Sequence, residues 1–358
     1  MKPIILTEFT PARGHQLLFE NTYRLLSLNF EVHCIPAFIS DNIPSQGTHL
    51  LPVGYFPNKG SYIKNIFHTI KNTNRNIKYV FEYAESHNIE TIICLTYDDF
   101  GLFFSQYLLK KKMNVYLMHH ANIDALKRSS LKRLFFHTYC KKVRHIVQCE
   151  FLSEYFSQII PEIDDIIIWP HPLNQINKTA LSNAIYDCVG LSTSNDDSVI
   201  CEIIENEKNH ETLKNNGLKV ILKSNNYEFD NGYLRVIKGF IEQDLFDNYV
   251  INSRSLLMPF PETFKMRMSG TLMDALSNKK HLIGTEIPIV LRSKKTYPEI
   301  VHLYTLESFA SLLKKIAKSD KVESQFNEFI TFHSDTHLSK LMYDSITLNR
   351  PNICNYDF

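Results

Sequence analysis

The chain has 358 residues, which is long for one domain, so two domains of about 150–180 residues each are expected. Apolar residues make up 44% and charged residues 22%, which excludes disorder as the main state; no uncharged apolar run approaches the ~18 residues of a spanning helix. A net charge of +1 gives the whole molecule no pull toward nucleic acid.

The chain opens on a short apolar run, Ile4–Thr7, that is followed by Glu8. That is a strand and not a secretory signal, so a cytoplasmic location is expected. A turn at 10–14 leads into a helix over His15–Leu28, with apolar residues at 17, 18, 25, 26 and 28. Strands follow at Phe30–Pro36, Thr91–Thr96, Val115–Met118, His145–Cys149 and Ile166–Trp169. Helices at Tyr62–Asn88, Phe100–Lys112, Ser129–Val143 and Leu152–Ile159 alternate with them. Such alternation predicts a parallel sheet covered by helices on both faces.

Pro170-His171-Pro172 stops the pattern, because two prolines fix φ and remove donors. The alternation then resumes. Strands are predicted at Ala184–Leu191, Lys219–Lys223, Tyr233–Ile237, Ser255–Met258 and His281–Gly284. Helices are predicted at Ser198–Asn215, Gln243–Ser253, Ser269–Asn278, Leu306–Lys318 and Ser324–Ile346. The fold class is therefore α/β, with two doubly wound Rossmann-like domains facing a cleft. The expected domains are 1–173 and 174–340, with a tail at 341–358 packing back on the first. Seven cysteines without a C-x-x-C spacing read as buried thiols in a reducing compartment, with no metal site.

Ligands of open parallel sheets bind beyond the carboxyl ends of the strands. The sequence holds no G-x-G and no P-loop, which argues against dinucleotide redox chemistry and P-loop nucleotide hydrolysis. It also holds no D-x-D to carry a metal on a diphosphate. The informative stretch is 258–288. There a strand ends at Met258, a loop carries Lys265 and Arg267, and a helix opens at Ser269-Gly270-Thr271. Free amides, hydroxyls and the positive end of a helix dipole suit an anion. Gly270 admits a close approach to the backbone, and Arg267 adds a bidentate contact. Asp274, three residues after Thr271, suits two ribose hydroxyls. An ordinary capped helix fits the same spacing.

This stretch resembles the donor-site signature of GT-B glycosyltransferases, in particular the large family-4-type group and its divergent bacterial surface-polysaccharide branches. Leu272-Met273-Asp274-Ala275-Leu276 resembles the segment of the second acid, with Asp in place of Glu, and His281–Pro288 resembles the strand and turn after it. The first acid falls on Met266, and Glu262 lies four residues earlier. The resemblance implies that Ser269, Gly270 and Thr271 hold a donor diphosphate and Asp274 the ribose. It adds Gly14 and Lys223 as donor contacts, and His119 and His120 as histidines near the donor sugar.

Glu8, His15, Asp98 and Asp99 follow strands and are candidates for an acceptor base. The implied activity is transfer of a sugar from a nucleotide-diphosphate sugar to a glycan or lipid-linked oligosaccharide. It is metal-independent, needs no cofactor and proceeds with retention, in bacterial surface polysaccharide biosynthesis. A sugar-nucleotide epimerase of the same fold is the alternative; so is a non-catalytic pathway partner, which Met266 favours. Between Leu109 and His145, ten Lys or Arg face one acid, Asp124. Lys132, Arg133, Phe135, Lys141 and Lys142 are therefore expected to face a membrane surface, at the inner face of the cell membrane.

Overall fold

The computed structural model describes all residues except 12–14, 46, 55–61, 110–111, 121, 164, 179–183, 319–321 and 349–358. The chain divides into two units. The first comprises 1–172 and the C-terminal helix, and the second comprises 173–333.

The apolar runs of the first unit pair in parallel. β1 (Lys2–Thr7), β2 (Phe30–Ile35), β3 (Thr91–Cys94), β4 (Asn114–Met118), β5 (Arg144–Val147) and β6 (Ile166–Ile168) form one sheet in the order β2-β1-β3-β4-β5-β6. Helices cover both faces, so the strands read as continuous apolar runs without alternation. From β1 the chain crosses to β2 on one side and later to β3 on the other, which creates a switch point between β1 and β3.

α1 (Gln16–Leu26) buries Leu18, Phe19, Thr22, Leu25 and Leu26, the i, i+3, i+4 stripe of an amphipathic helix. α2 (Tyr62–Ser86) and α3 (Asp99–Ser105) pack almost backbone to backbone. A Cβ on Gly101 would stand 2.7 Å from Thr73 Oγ1, so only glycine fits. Asp98 caps α3 by accepting a 2.8 Å hydrogen bond from the Gly101 amide. α4 (Asn122–Arg128), α5 (Ser130–His137) and α6 (Glu150–Ile159) follow.

In the second unit β7 (Tyr186–Gly190), β8 (Val220–Ser224), β9 (Phe229–Asp230), β10 (Leu234–Lys238), β11 (Ser253–Met258), β12 (His281–Gly284) and β13 (Val301–Leu303) lie in the order β13-β12-β11-β7-β8-β10-β9. All neighbours are parallel except the edge strand β9. The switch point falls between β7 and β11. The helices are α7 (Asp197–His210), α8 (Thr212–Asn215), α9 (Gln243–Ile251), α10 (Gly270–Ser277), α11 (Pro288–Thr296), α12 (Leu306–Lys318) and α13 (Glu323–Phe332). One face of the sheet packs Val220, Leu222 and Leu257 against Ile200, Ile203, Phe309 and Leu313.

After α13 the helical pattern breaks at His333-Ser334, and α14 (Asp335–Leu348) belongs to the first unit. The single helix predicted over 324–346 is therefore two, and the return to the first unit begins at 334 instead of 341. Leu338, Met342 and Ile346 of α14 join the core that holds Leu25, Leu26, Phe30 and Trp169. The Trp169 indole donates to the Leu338 carbonyl at 3.1 Å, and Arg24 pairs with Asp335.

The helix expected over 129–143 ends at His137, and the one expected over 100–112 gives way to a 3₁₀ turn at Gln106–Leu108. Cys34, Cys94, Cys140, Cys149 and Cys188 are buried free thiols. No described helix is long and apolar enough to cross a membrane.

Candidate functional site

At the carboxyl edge of the second unit's sheet, strand register determines which side chains can meet. Leu222 pairs with Gly190 and Leu256 with Val189. Lys223 and Met258 therefore occupy one row, two strands apart, and point to the same face. At normal strand spacing their Cα atoms are about 10 Å apart. The α10 start lies on that face as well, because the Ser269 hydroxyl reaches Met258 Sδ at 3.1 Å. Ser269 is the N-cap, and its Oγ accepts from the Leu272 amide at 3.4 Å.

Lys223 is 4% exposed, yet its ammonium makes no hydrogen bond or ion pair among the described residues. Burial lowers its pKa, and the charge of Asp197 partly offsets that shift. A lysine held this way is costly unless an anion completes the site. Its carbonyl oxygen accepts from Asn195 Nδ2 at 2.9 Å. The same amide donates to the Gly190 carbonyl at 2.8 Å, while Asn195 Oδ1 is buried without a partner among the described residues. Sequence spacing did not single out Asn195; its only signal is its place between β7 and a helix N-cap. Phe240, 79% exposed just beyond β10, was also missed.

Gly270 is exposed, and a Cβ there would meet nothing within 4 Å. The backbone at the α10 start is thus open, as a phosphate site needs. The Arg267 guanidinium lies 4.1 Å over the Phe264 ring, which fixes it near this helix start. Thr271 is partly exposed. Glu262 is turned to solvent beside Lys265, 3.9 Å away, and does not stand in for the acid missing at Met266.

Asp274 has a partner inside the unit. Its Oδ1 accepts from Asn174 Nδ2 at 3.0 Å, and burial pushes its carboxyl up to about 7, against the opposing effect of Asn174. The last turn of α10 clasps the linker. The Asn174 amide donates to Ser277 Oγ, the Ile176 amide to Asn278 Oδ1, and Asn278 Nδ2 to the Asn174 carbonyl.

In the first unit the predicted catalytic residues separate into two groups. His119 is fully buried. Its Nδ1 meets Tyr97 Oη at 3.1 Å and its Nε2 meets His145 Nδ1 at 2.9 Å, while His145 Nε2 meets the Cys140 carbonyl at 3.0 Å. The terminal carbonyl only accepts, so each donor is determined in turn: His145 Nε2, then His119 Nε2, then Tyr97 Oη. Burial holds His119 well below the usual range and His145 at about 4. The expectation that His119 sits at the donor sugar is corrected: both ring nitrogens are engaged internally, and the ring is closed to solvent. Glu8 is 1% exposed and accepts from Thr96 Oγ1 at 3.1 Å under the β1/β3 switch point.

His15 and His120 form the second group. Their rings are 5.0 Å apart, and His15 Nδ1 and His120 Nε2 are without partners among the described residues. Burial lowers both, His120 to about 3, with His15 and His171 adding to that shift. His171, from the predicted linker, is itself lowered to about 4 by burial. Asp98 caps α3, and buried Asp99 meets Lys132 Nζ at 3.4 Å. Gly14 lies outside the described residues, as do Lys110 and Lys111.

Three of the five residues expected to face a membrane are turned inward or held. Lys132 reaches Asp99, Arg133 donates to the carbonyls of Leu126 and Lys127, and Phe135 stacks on Phe103 at 4.2 Å. Lys141 and Lys142 are exposed.

No protein-family model matches the chain, and no curated protein matches its sequence. Solved structures do match its fold. The E. coli trehalose-6-phosphate structure bound with UDP-2-fluoro glucose is similar with a TM-score of 0.65, 8% identity, and 98% of this chain and 100% of that one covered. The glycotransferase of kitacinnamycin is similar at 0.58, with 10% identity and 96% and 98% covered. The UDP-GlcNAc 2-epimerase of Methanocaldococcus jannaschii is similar at 0.57, with 10% identity and 96% and 99% covered. The fold is GT-B, which glycosyltransferases and UDP-GlcNAc 2-epimerases share.

Proposed function

We propose that the chain moves a sugar from a nucleotide-diphosphate sugar to a hydroxyl of a glycan or lipid-linked glycan, without a metal and with retention. The observation that carries this reading is Lys223, 4% exposed, whose ammonium makes no hydrogen bond or ion pair among the described residues, on the same sheet face as the open amides of α10. As the bond from sugar C1 to the phosphate oxygen breaks, negative charge grows on the diphosphate. Lys223, Arg267 and the amides at 270–271 stabilise that charge from fixed positions. Thr271 offers a hydroxyl, and Phe240 a surface on which a base stacks. The acceptor oxygen bonds to C1, and its proton passes to the departing phosphate oxygen, so no side-chain base is required. Were the outcome inversion, His15 and His120 are the candidates, each with a buried ring nitrogen that has no partner among the described residues. The resemblance of 258–288 supports a place in bacterial surface polysaccharide assembly, on the cytoplasmic side of the membrane.

The test is a panel of nucleoside diphosphates and their sugars, read by thermal shift. At least one member should raise the unfolding midpoint. Lys223→Met should abolish that rise while leaving the midpoint of the free protein unchanged or higher, because the substitution removes a charge that burial disfavours more than Asp197 offsets. A variant that binds as well as the parent ends the assignment.

The similarity to the Methanocaldococcus jannaschii epimerase supports a second reading, epimerisation of the nucleotide sugar. Release of free epimer from donor alone, with no acceptor, selects it.

A further inference from the structure

The first unit carries an apolar face that the donor-site reading does not use. α3, the 3₁₀ turn at Gln106–Leu108 and α5 lie side by side and run the same way. Lys132 Nζ meets Asp99 at their starts, Phe135 stacks on Phe103 midway, and Gln106 Nε2 donates to Thr138 Oγ1 at 3.0 Å near their ends. Four large side chains project outward from this pair: Phe104 is 50% exposed, Tyr107 71%, Leu131 52% and Leu134 61%. The Phe104 ring is 6.3 Å from that of Phe135, and Leu131 precedes Phe135 by one turn on α5.

Lysines bracket the face. Lys132 lies 5.5 Å over the Phe100 ring at one end. At the other, Lys142 Nζ donates to Gln106 Oε1 at 2.7 Å, beside exposed Lys141. Lys112, Lys127 and Arg128 are also exposed, while Asp99 and Asp124 are only 2% and 4% exposed. The surface thus has projecting apolar groups and a basic border; Asp99 and Asp124 are withdrawn, and Glu162 pairs with His137, the last residue of α5, at 3.3 Å. We propose that this face inserts into the headgroup region of an anionic lipid bilayer. The apolar tips would enter the acyl boundary, and the exposed Lys141 and Lys142 would reach lipid phosphates. The sequence pattern pointed to Lys132, Arg133 and Phe135, whereas the structure presents Phe104, Tyr107, Leu131 and Leu134.

The inference is independent of the donor site, so its failure and that of the nucleotide assay are separate results. The full-length protein is sedimented with vesicles of phosphatidylcholine alone, or with about one third phosphatidylglycerol. Binding to the anionic vesicles should be at least about tenfold tighter and should weaken as salt rises. Phe104→Glu with Leu134→Glu should weaken it about tenfold or more without moving the unfolding midpoint. Lys141→Glu with Lys142→Glu should reduce the preference for anionic lipid, a second variant set in case the first misfolds. Absence of binding, equal binding to both vesicle types, or binding that both variant sets leave intact overturns the proposal. So does a concentration-dependent dimer, seen without lipid, that the first variant set dissociates; a second copy would then be the occupant.

Discussion

Gly270 is a glycine that its own surroundings do not demand. Its φ is not left-handed, and a Cβ would enter open space. Gly270→Ala should therefore leave stability unchanged or raise it by up to about 1 kcal/mol. If a phosphate lies on this backbone, the same methyl should weaken donor binding; equal affinity in calorimetry would assign Gly270 to the helix alone. The buried histidines make a different prediction. His120 is lowered to about 3 and His145 to about 4, so the folded chain refuses protons that the unfolded chain takes up. Their contribution is intact above the unfolded value of about 6.5 and declines as pH falls from there toward 4. The unfolding of the first unit, which holds both histidines, should become easier across that window. His120→Asn, which keeps a donor for the Leu95 backbone, should make that dependence shallower. A His120→Asn variant with the same pH dependence as the parent from pH 7 to 5 contradicts this. At this scale the sequence identifies Lys223 as basic and strand-terminal, but its lack of partners depends on which groups fold around it. Asn195 is illegible for the same reason, since its two donor bonds join the ends of different strands.

α10 carries two duties along one short helix. Its first residues are open to solvent, and its last turn clasps the linker through Asp274, Ser277 and Asn278. The Asp274 carboxyl, pushed up to about 7 by burial, stabilises the fold while protonated, and that contribution is lost as pH rises through 7. Asp274→Asn keeps an acceptor for Asn174 and removes the charge. At pH 8 it should raise stability by something on the order of 2 kcal/mol. Should donor affinity also fall, the carboxylate has a binding role besides; a stability loss in denaturant titration would contradict the burial argument. Element by element, the strands were legible because doubly covered strands are continuous apolar runs. β9, with two residues, is too short for any periodicity, and α11 begins at a proline that also reads as a loop. The break between α13 and α14 is hidden because both helices keep an apolar stripe, although they serve different cores.

At the scale of the molecule, the two units are not sequential. Residues 173–333 are inserted between the bulk of the first unit and its closing helix α14. Trp169 is the only tryptophan, and its indole is bonded to α14. Truncation after residue 333 should expose Trp169 and the partners of Leu338, Met342 and Ile346. The emission should shift to the red and the first unit should lose its cooperative transition, while the second unit keeps its own. An unshifted spectrum would mean that α14 is dispensable. The location of this discontinuity was only partly legible, since a C-terminal return was expected but its starting point depends on a tertiary choice at His333-Ser334.

During synthesis the interruption imposes a schedule. The ribosome releases the inserted half complete while the earlier-made half still lacks its last helix, so the part made first is the last to mature. In that interval the unfinished hydrophobic surface around Trp169 is where a chaperone would bind, and where premature termination would leave a chain prone to aggregate.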